Sequence, residues 1–277
     1  MADMPQDIVM LDGADTADHR LLRAGGGELV AYTRRSPDKD TENEDTVGII
    51  PWGPQAAVLV VADGAGGLPA GKRASLTAVS TLANSLQVAL EKTTLLRTAV
   101  LNGIEAANTA VRELANGSAT TLTVVTIEGR LARSYQIGDS EAIVVGQRGR
   151  VKLQTTAHSP TGFAVEAGFL DQRAALHHAE RHLVSNFLGT PDMTIDVGAG
   201  VELAARDTVV VASDGMTDNV HFDEIIELAR KGPLDDAARA LVDKARQRML
   251  QERAGQPSKP DDLSLILFRK PPGEPSH

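Results

Sequence analysis

Acidic residues in this sequence follow directly on strongly apolar runs. Residues 58–62 are apolar throughout, as in a strand that is covered on both faces, and Asp63 comes next. A carboxylate at the rim of a core has lost part of its hydration, so a cation or several hydrogen-bond donors must stabilise its charge. Gly64 has no Cβ and lets the backbone turn sharply toward a ligand. The stretch indicates a cation or phosphate site, although Asp-Gly after a strand is also a common turn.

The same pattern recurs elsewhere in the chain. Further acidic residues flank strand-like segments: Glu44 and Asp45 before TVGII, Asp139 in a Gly-Asp-Ser turn, Asp214 after TVVVAS, and Asp261 with Asp262 before LSLILF. If these strand ends converge, repulsion and desolvation raise the pKa values of the carboxylates unless cations intervene. An all-oxygen ligand set favours Mg²⁺ or Mn²⁺ over zinc. Two such ions about 3.5–4 Å apart can activate a shared water for attack on phosphorus, which is the chemistry of phosphate ester hydrolysis.

Composition and charge exclude several classes of protein. The 277 residues are 42% hydrophobic, enough for one large domain. A formal net charge of -9 argues against nucleic-acid and anionic-membrane partners. The start of the chain lacks the basic and apolar regions of a signal peptide, and cysteine is absent, which excludes disulfides and a cysteine nucleophile. We therefore expect a cytoplasmic protein with neither nucleic-acid nor membrane partners.

Hydrophobic periodicity predicts the elements that position the acidic residues. Apolar residues at three- and four-residue steps predict two helices over 76–90 and 96–114, and residues 119–153 have the alternation and turns of antiparallel hairpins. Two more helices and a closing strand follow the apolar run that ends before Asp214. A strict alternation of strands and helices is not seen, which argues against a doubly wound parallel sheet. We predict an α+β fold with four αββα layers, in which helices flank a central sandwich of two antiparallel sheets.

No interior linker divides the chain, so we expect one domain. Residues 1–27 have little periodicity and are interpreted as a variable lead-in, 28–270 as the folded domain, and 271–277 as a disordered tail. Within the irregular segment 157–198, a helix is plausible over 171–183 and would carry His178 and His182 at i and i+4. That spacing can bind zinc, but no third ligand is evident, and we interpret it as a solvated helix face.

The ordered motifs resemble those of the metal-dependent serine/threonine protein phosphatases, the PPM or type 2C family, in a bacterial-style version. They are NED at 43–45, ADGAGG at 62–67, GDS at 138–140, SDGMTD at 213–218 and PDDLS at 260–264. The resemblance covers about residues 28–269 and implies the same αββα fold. It also implies hydrolysis of phosphoserine and phosphothreonine in proteins at a binuclear Mn²⁺ or Mg²⁺ centre, and a partner Ser/Thr kinase.

The resemblance also assigns roles to individual residues. It makes Asp63 the ligand that bridges two metal ions, with the Gly64 carbonyl on one of them. Segment 157–198 resembles the flap beside the active site, a candidate for substrate selection. The remaining implied ligands are Asp214 and Asp261 on the first metal, Glu44 and Asp45 on the second, and Asp139, Asp214 and Asp218 at a third site; Asp45, Asp63, Asp214 and Asp261 are the implied catalytic carboxylates.

Three positions depart from the family pattern. Asp40 stands where the family often has a phosphate-binding arginine, and Arg34 and Arg35, further back in the chain, are weak candidates for that role. Ala65 stands where some relatives have a histidine general acid, and Asp262 where the family often has asparagine, so Asp262 receives no direct ligand role. The departures at Asp40 and Ala65 leave open a pseudophosphatase that binds a phosphoprotein without turnover.

A nucleotide hydrolase is a remote alternative. Residues Gly66 to Lys72 read G-x-x-x-x-G-K between a predicted strand and a predicted helix, as in a phosphate-binding loop. Arg73 replaces the hydroxyl residue that would bind magnesium, and the strand meander at 119–153 fits a nucleotide-binding α/β sheet poorly.

Overall fold

The computed structural model describes residues 7–13, 20–37, 39–65, 70–115 and 117–271. The strands are β1 (Val9–Asp12), β2 (Arg20–Ala24), β3 (Gly27–Arg34), β4 (Thr46–Pro51), β5 (Ala56–Ala62), β6 (Gly64–Ala65), β7 (Ala119–Thr120), β8 (Leu122–Glu128), β9 (Leu131–Ile137), β10 (Glu141–Val145), β11 (Val151–Gln154), β12 (Asp196–Val197), β13 (Val201–Glu202), β14 (Thr208–Ala212) and β15 (Leu263–Arg269). The helices are α1 (Ala70–Glu91), α2 (Leu96–Arg112), α3 (Pro160–Glu166), α4 (Gln172–Ala175), α5 (Asp214–Thr217), α6 (Phe222–Ala229) and α7 (Leu234–Leu250).

The described strands form two large antiparallel sheets and one small one. The first sheet has the order β1-β4-β5-β8-β9-β12, with β13 also paired to β9. The second has the order β11-β10-β14-β15-β3-β2, and β6 pairs with β7 in a separate two-stranded sheet. The pairs β8–β9 and β10–β11 confirm two of the antiparallel hairpins predicted over 119–153. The hairpin expected across the Gly138-Asp139-Ser140 turn is wrong, because the chain passes there from the first sheet to the second and β9 does not pair with β10.

Alternating side chains on the central strands produce four layers. Leu59 and Val61 of β5 face the second sheet and belong to the core between the two sheets. Val58 and Val60 point the opposite way and pack under α1 and α2. A third core lies between the second sheet and helices α6 and α7. The predicted four-layer αββα fold is therefore confirmed, and α1 and α2 correspond to the two predicted helices.

The lead-in and the histidine segment differ from the sequence interpretation. Strands β1 and β2 lie within residues 1–27, where they pair with β4 and β3 at the sheet edges. Short edge strands have one neighbour and need little hydrophobic pattern. The helix predicted over 171–183 is wrong beyond α4, because the chain continues in turns after residue 175. His178 and His182 are exposed on these turns, so their i,i+4 spacing is not helical.

Some predicted features fall outside the described residues. Gly66 and Gly67 of the ADGAGG motif belong to this group, as do most of the predicted tail and much of the lead-in. Lys72 of the loop-like G-x-x-x-x-G-K stretch lies in the first turn of α1. The antiparallel pairing of the described sheets argues against a nucleotide hydrolase of the phosphate-binding-loop type. In the described ranges, every helix is too short or too polar to cross a lipid bilayer.

Candidate metal centre

Strand register brings the acidic motifs of the first sheet to one end of the sandwich. Thr46 at the start of β4 pairs with Ala62 at the end of β5. Asp45 and Asp63, one residue beyond each, therefore lie side by side. The two acidic motifs meet because, in an antiparallel pair, one strand begins at the end of the sheet where its neighbour finishes.

The second sheet presents its acidic residues at the matching end. Ala212, the last residue of β14, pairs with Glu141 at the start of β10 and with Leu265 near the start of β15. Asp214 follows β14, while Asp139 and Asp261 precede β10 and β15. All the predicted acidic ligands thus lie at one end of the molecule.

Burial and neighbouring charges raise the pKa values of several of these carboxylates. Burial raises the pKa of Asp63 well above its ordinary value, and the carboxylates of Asp45, Asp214, Asp261 and Asp139 raise it further. Burial, followed by the charge of Asp214, raises the pKa of Asp261 to about 7. The Lys259 ammonium contacts both Asp214 and Asp261, and Ser213, the residue before Asp214, donates to Asp45. The structure therefore brings together the predicted carboxylates of both sheets.

The pKa values of three more members of the predicted set are raised. Burial and the nearby Asp214 charge raise the pKa of Asp139 well above its ordinary value. The same two causes raise the pKa of Asp218, which lies just after the short helix α5. Asp45 is fully buried, and burial together with the charge of Asp262 raises its pKa.

Hydroxyl groups from neighbouring strands hold the backbone and side chains of this pocket. The Asp63 carbonyl accepts hydrogen bonds from the Thr121 backbone N–H and from Thr120 Oγ1, both at 2.8 Å. The Asp63 N–H donates to Thr121 Oγ1 at 3.0 Å. Ser213 Oγ donates to Asp45 Oδ2 at 2.9 Å, which links the ends of the two sheets. These contacts fix the backbone of Asp63 and one oxygen of the Asp45 carboxylate.

Two glycines make room for the Glu44 carboxylate and the Gly64 carbonyl. A Cβ at Gly71, in the first turn of α1, would lie 2.5 Å from Glu44 Oε1 and 2.6 Å from the Gly64 oxygen. A Cβ at Gly64 would in turn lie 2.3 Å from the Gly71 carbonyl oxygen. Asp262 Oδ2 accepts the Glu44 N–H at 2.7 Å, and Oδ1 accepts the Ser36 N–H at 2.8 Å. Asp262 therefore positions Glu44.

Lys259, which the sequence analysis did not single out, extends into the acidic pocket. Its ammonium forms ion pairs with Asp214, with Asp218 at 2.9 Å and with Asp261 at 3.4 Å. Burial alone would lower the pKa of Lys259, but the three carboxylates outweigh burial and raise it. The only sequence signal was a cation directly before the acidic motif at 260–264.

A second lysine occupies the other side of the pocket. Lys39 Nζ lies 2.5 Å from Glu44 Oε2 and 2.8 Å from Asp262 Oδ2. Lys39 therefore compensates the charge of Asp262, to which the sequence analysis gave no ligand role. The pairing was not visible in the sequence because 223 positions separate the two residues.

The remaining carboxylate oxygens fit hard divalent cations. Asp45 Oδ1 and Asp214 Oδ1 are buried and accept no hydrogen bond from the described residues. Buried carboxylate oxygens without donors need a cation, and an all-oxygen set matches Mg²⁺ or Mn²⁺. Within the described ranges, no three acidic, imidazole or thiol side chains surround a single point as in a closed metal site. The oxygens that suit a metal are distributed over both sheets, with the two ammonium groups among them.

The predicted phosphate-binding arginines lie near the same end of the sandwich. Arg35 Nη1 donates to the Thr41 carbonyl at 3.4 Å. Arg34, the last residue of β3, borders a groove beside Val242 of α7. Asp40 is exposed. A role for either arginine in phosphate binding stays a prediction.

A cavity of about 470 Å³ adjoins the acidic pocket. One wall carries Asp139, Asp214 and Asp218, and the segment predicted to resemble the flap supplies residues such as Thr161, Leu176 and Arg181. Arg181 Nη2 donates to the Ser258 carbonyl at 2.9 Å, so this segment contacts the residue before Lys259.

The chain is similar in sequence to known protein phosphatases. Residues 34–253 match the family described as Protein phosphatase 2C. The protein phosphatase PhpP of Streptococcus pneumoniae is 28% identical over 212 residues, which cover 74% of this chain and 85% of the relative. The serine/threonine phosphatase stp of Listeria monocytogenes is 27% identical over 216 residues, covering 73% and 84%.

Solved structures show the same architecture. The serine/threonine phosphatase Stp1 of Staphylococcus aureus superposes with a TM-score of 0.74 at 25% identity, covering 87% of this chain and 94% of that one. The catalytic domain of the phosphatase PstP, solved in complex with two manganese ions, has a TM-score of 0.65 at 23% identity, covers 87% of this chain and 96% of that one, and supports the fold. With a family match over residues 34–253, this chain belongs to the protein phosphatase 2C family.

Proposed function

We propose that this protein hydrolyses phosphoserine and phosphothreonine monoesters in proteins, using a binuclear Mn²⁺ or Mg²⁺ centre. The observation that carries the proposal is the convergence of buried acidic strand ends from both sheets, with oxygens of Asp45 and Asp214 left without donors. A carboxylate excess of this kind is costly unless cations bind. The named activities of the bacterial relatives supply the substrate class.

The proposed ligands come from four segments of the chain. Asp63, whose carboxylate is influenced by Asp45, Asp214 and Asp261, would hold both ions. Asp214 and Asp261 would hold one of them, and Asp45, Glu44 and the Gly64 carbonyl the other. Asp139 and Asp218 line the wall toward the cavity. When bound, two divalent cations lower the pKa of a shared water and neutralise phosphate charge.

The other residues of the centre position these ligands. Ser213 satisfies Asp45 Oδ2 and leaves Oδ1 available for a metal ion. The glycine pair at positions 64 and 71 lets the Glu44 carboxylate and the Gly64 carbonyl approach each other. The adjoining cavity would hold the residues around the phosphorylated side chain, and a Ser/Thr kinase would supply that substrate.

Phosphate release from a phosphothreonine peptide tests the proposal. We expect turnover with added Mn²⁺ or Mg²⁺, loss of turnover in EDTA, and recovery when metal is restored in excess. Chelator-resistant hydrolysis would contradict the metal mechanism. ATP as the substrate is the control for the nucleotide-hydrolase alternative, which predicts hydrolysis of ATP but not of the peptide.

The same assay separates an enzyme from a phosphoprotein-binding module. The ammonium groups of Lys39 and Lys259 inside the pocket are the observation that favours the second possibility, because they already neutralise part of its charge. Bound metal without turnover of the peptide would identify a pseudophosphatase.

A further inference from the structure

The ammonium of Lys259 is held among three carboxylates by a buried framework. Asn219, which is fully buried, accepts the Lys259 N–H with Oδ1 and donates to the Lys259 carbonyl with Nδ2, both at 2.8 Å. Asn219 Nδ2 also donates to the Gly215 carbonyl at 2.9 Å, one residue after Asp214. The backbone of Lys259 is therefore fixed relative to the helix that carries its acidic partners.

The residue before Lys259 is fixed as well. The Ser258 carbonyl accepts from Arg181 of the flap-like segment, and Ser258 Oγ donates to the Arg248 carbonyl at 2.8 Å. Arg248 in turn donates to the Asn219 carbonyl at 2.9 Å. Because both sides of the peptide are anchored, the lysine side chain is directed into the pocket by the fold rather than by chance contact.

The Lys259 contacts are distributed unevenly over the carboxylates. The ammonium is nearest to Asp214 Oδ2 and Asp218 Oδ2 and is farther from Asp261 Oδ2. The Asp218 oxygen lies within ion-pair distance but is not aligned for a hydrogen bond. Asp214 Oδ1 has no partner among the described residues. The lysine thus neutralises Oδ2 of the Asp214 carboxylate, while Oδ1 remains available for a metal ion.

We propose that the Lys259 ammonium permanently takes the place of one divalent cation beside Asp214 and Asp218, so that the pocket binds two divalent ions and not three. This inference rests on the proposed function, because it divides the same carboxylates between metal ions and a tethered cation. An ammonium in ion-pair contact with these oxygens excludes a metal ion that would use them, through both volume and like-charge repulsion.

Metal counting on the full-length protein tests the inference. The wild type, Lys259→Met and Lys259→Gln are stripped with EDTA, equilibrated with saturating Mn²⁺, and analysed for manganese per chain. We expect two ions in the wild type and three in both variants. Lys152→Met is the matched control, because Lys152 is 23% exposed against 21% for Lys259 and pairs with buried Asp207. It should bind two ions.

Thermal unfolding of the same proteins gives a second measurement. Without metal, the Lys259 variants should melt below the wild type, and saturating Mn²⁺ should raise their melting temperatures by more than it raises that of the wild type. Three ions in the wild type, or two ions in the wild type and in both Lys259 variants, would overturn the inference and leave the proposed function standing. A wild type that binds no manganese would overturn the proposed function, and the inference with it.

Discussion

The two ends of the β-sandwich handle buried carboxylates in opposite ways. Asp207, just before β14, is 3% exposed and is satisfied by the Ala204 N–H at 2.7 Å and by Lys152 Nζ at 2.5 Å. Asp214, just after β14, belongs to a cluster of carboxylates that form ion pairs with Lys39 and Lys259. Buried oxygens of this cluster still accept no hydrogen bond from the described residues. Burial of an acidic residue therefore does not mark a site in this fold; an excess of buried carboxylates over cations does.

The largest expected effect comes from removing a carboxylate at the acidic end. Asp63→Asn should lower the rate of phosphate release by at least about 10²–10³-fold, the scale for losing a group that stabilises transition-state charge. The metal-free protein should be as stable as the wild type or more stable, because repulsion among the carboxylates falls. Peptide turnover and thermal unfolding in EDTA measure the two effects.

Asp207→Asn is the contrasting variant at the other end. It should keep phosphatase activity and lose about 1–3 kcal/mol of stability, because the part-buried Lys152 loses its charged partner. Equal losses of activity in the two variants, or a destabilised metal-free Asp63→Asn, would remove the distinction between the ends.

A smaller effect is expected from filling the space beside the Gly64 carbonyl. Gly71→Ala places a methyl group against Glu44 Oε1 and the Gly64 oxygen, and should weaken Mn²⁺ binding by about 10–100-fold, the scale for disturbing the support of a metal ligand. Gly103→Ala in α2 is the control, since its Cβ meets the flexible end of Leu82 in the helical layer. Isothermal titration of both variants with Mn²⁺ makes the comparison, and unchanged affinity in Gly71→Ala would place the metal elsewhere.

The smallest effect concerns pH. A carboxylate whose folded-state pKa is raised stabilises the fold at low pH, and this contribution is lost as the pH rises through the folded value. For Asp261, this stabilisation is lost between its ordinary pKa of 3.8 and its folded-state pKa of about 7. Metal binding requires the deprotonated form. The difference in melting temperature between Mn²⁺-loaded and metal-free protein should therefore grow from about pH 4 to about pH 7.

Other titrating groups do not reverse this trend. Burial alone would raise the pKa of Glu224, but hydrogen bonds from Arg248 and Lys244 lower it to about 2. The contribution of Glu224 to the stability of the fold is therefore lost only in more acidic solution. Burial lowers the pKa of His158, an effect common to both protein samples that cancels in the difference. If the difference in melting temperature between Mn²⁺-loaded and metal-free protein stays the same from about pH 4 to about pH 7, the assignment of these carboxylates as metal ligands is contradicted.

Much of the fold and of the acidic set could be predicted from the sequence because the signals are local. Asp63 and Asp214 stand out because each ends an apolar run, and period changes mark where helices and strands alternate. The convergence of their strand ends then follows from antiparallel pairing. Edge strands β1 and β2 were missed because an edge needs only a weak pattern.

The cations of the centre could not be predicted in the same way. Lys39 and Asp262 are far apart in sequence, and their contact depends on the pairing of β3 with β15. Lys259 lies beside a motif that was recognised, but its direction depends on the buried amide of Asn219, 40 residues earlier. Contacts of this kind are created by tertiary structure and leave no periodic signal.

The most direct test of the central claim is anomalous diffraction at the manganese absorption edge from crystals soaked in Mn²⁺. The account predicts two peaks in contact with Asp63, one beside Asp214 and Asp261 and one beside Asp45 and the Gly64 carbonyl. Peaks confined to other parts of the surface, or a pocket that stays free of manganese while the same crystals hydrolyse a phosphopeptide, would contradict it.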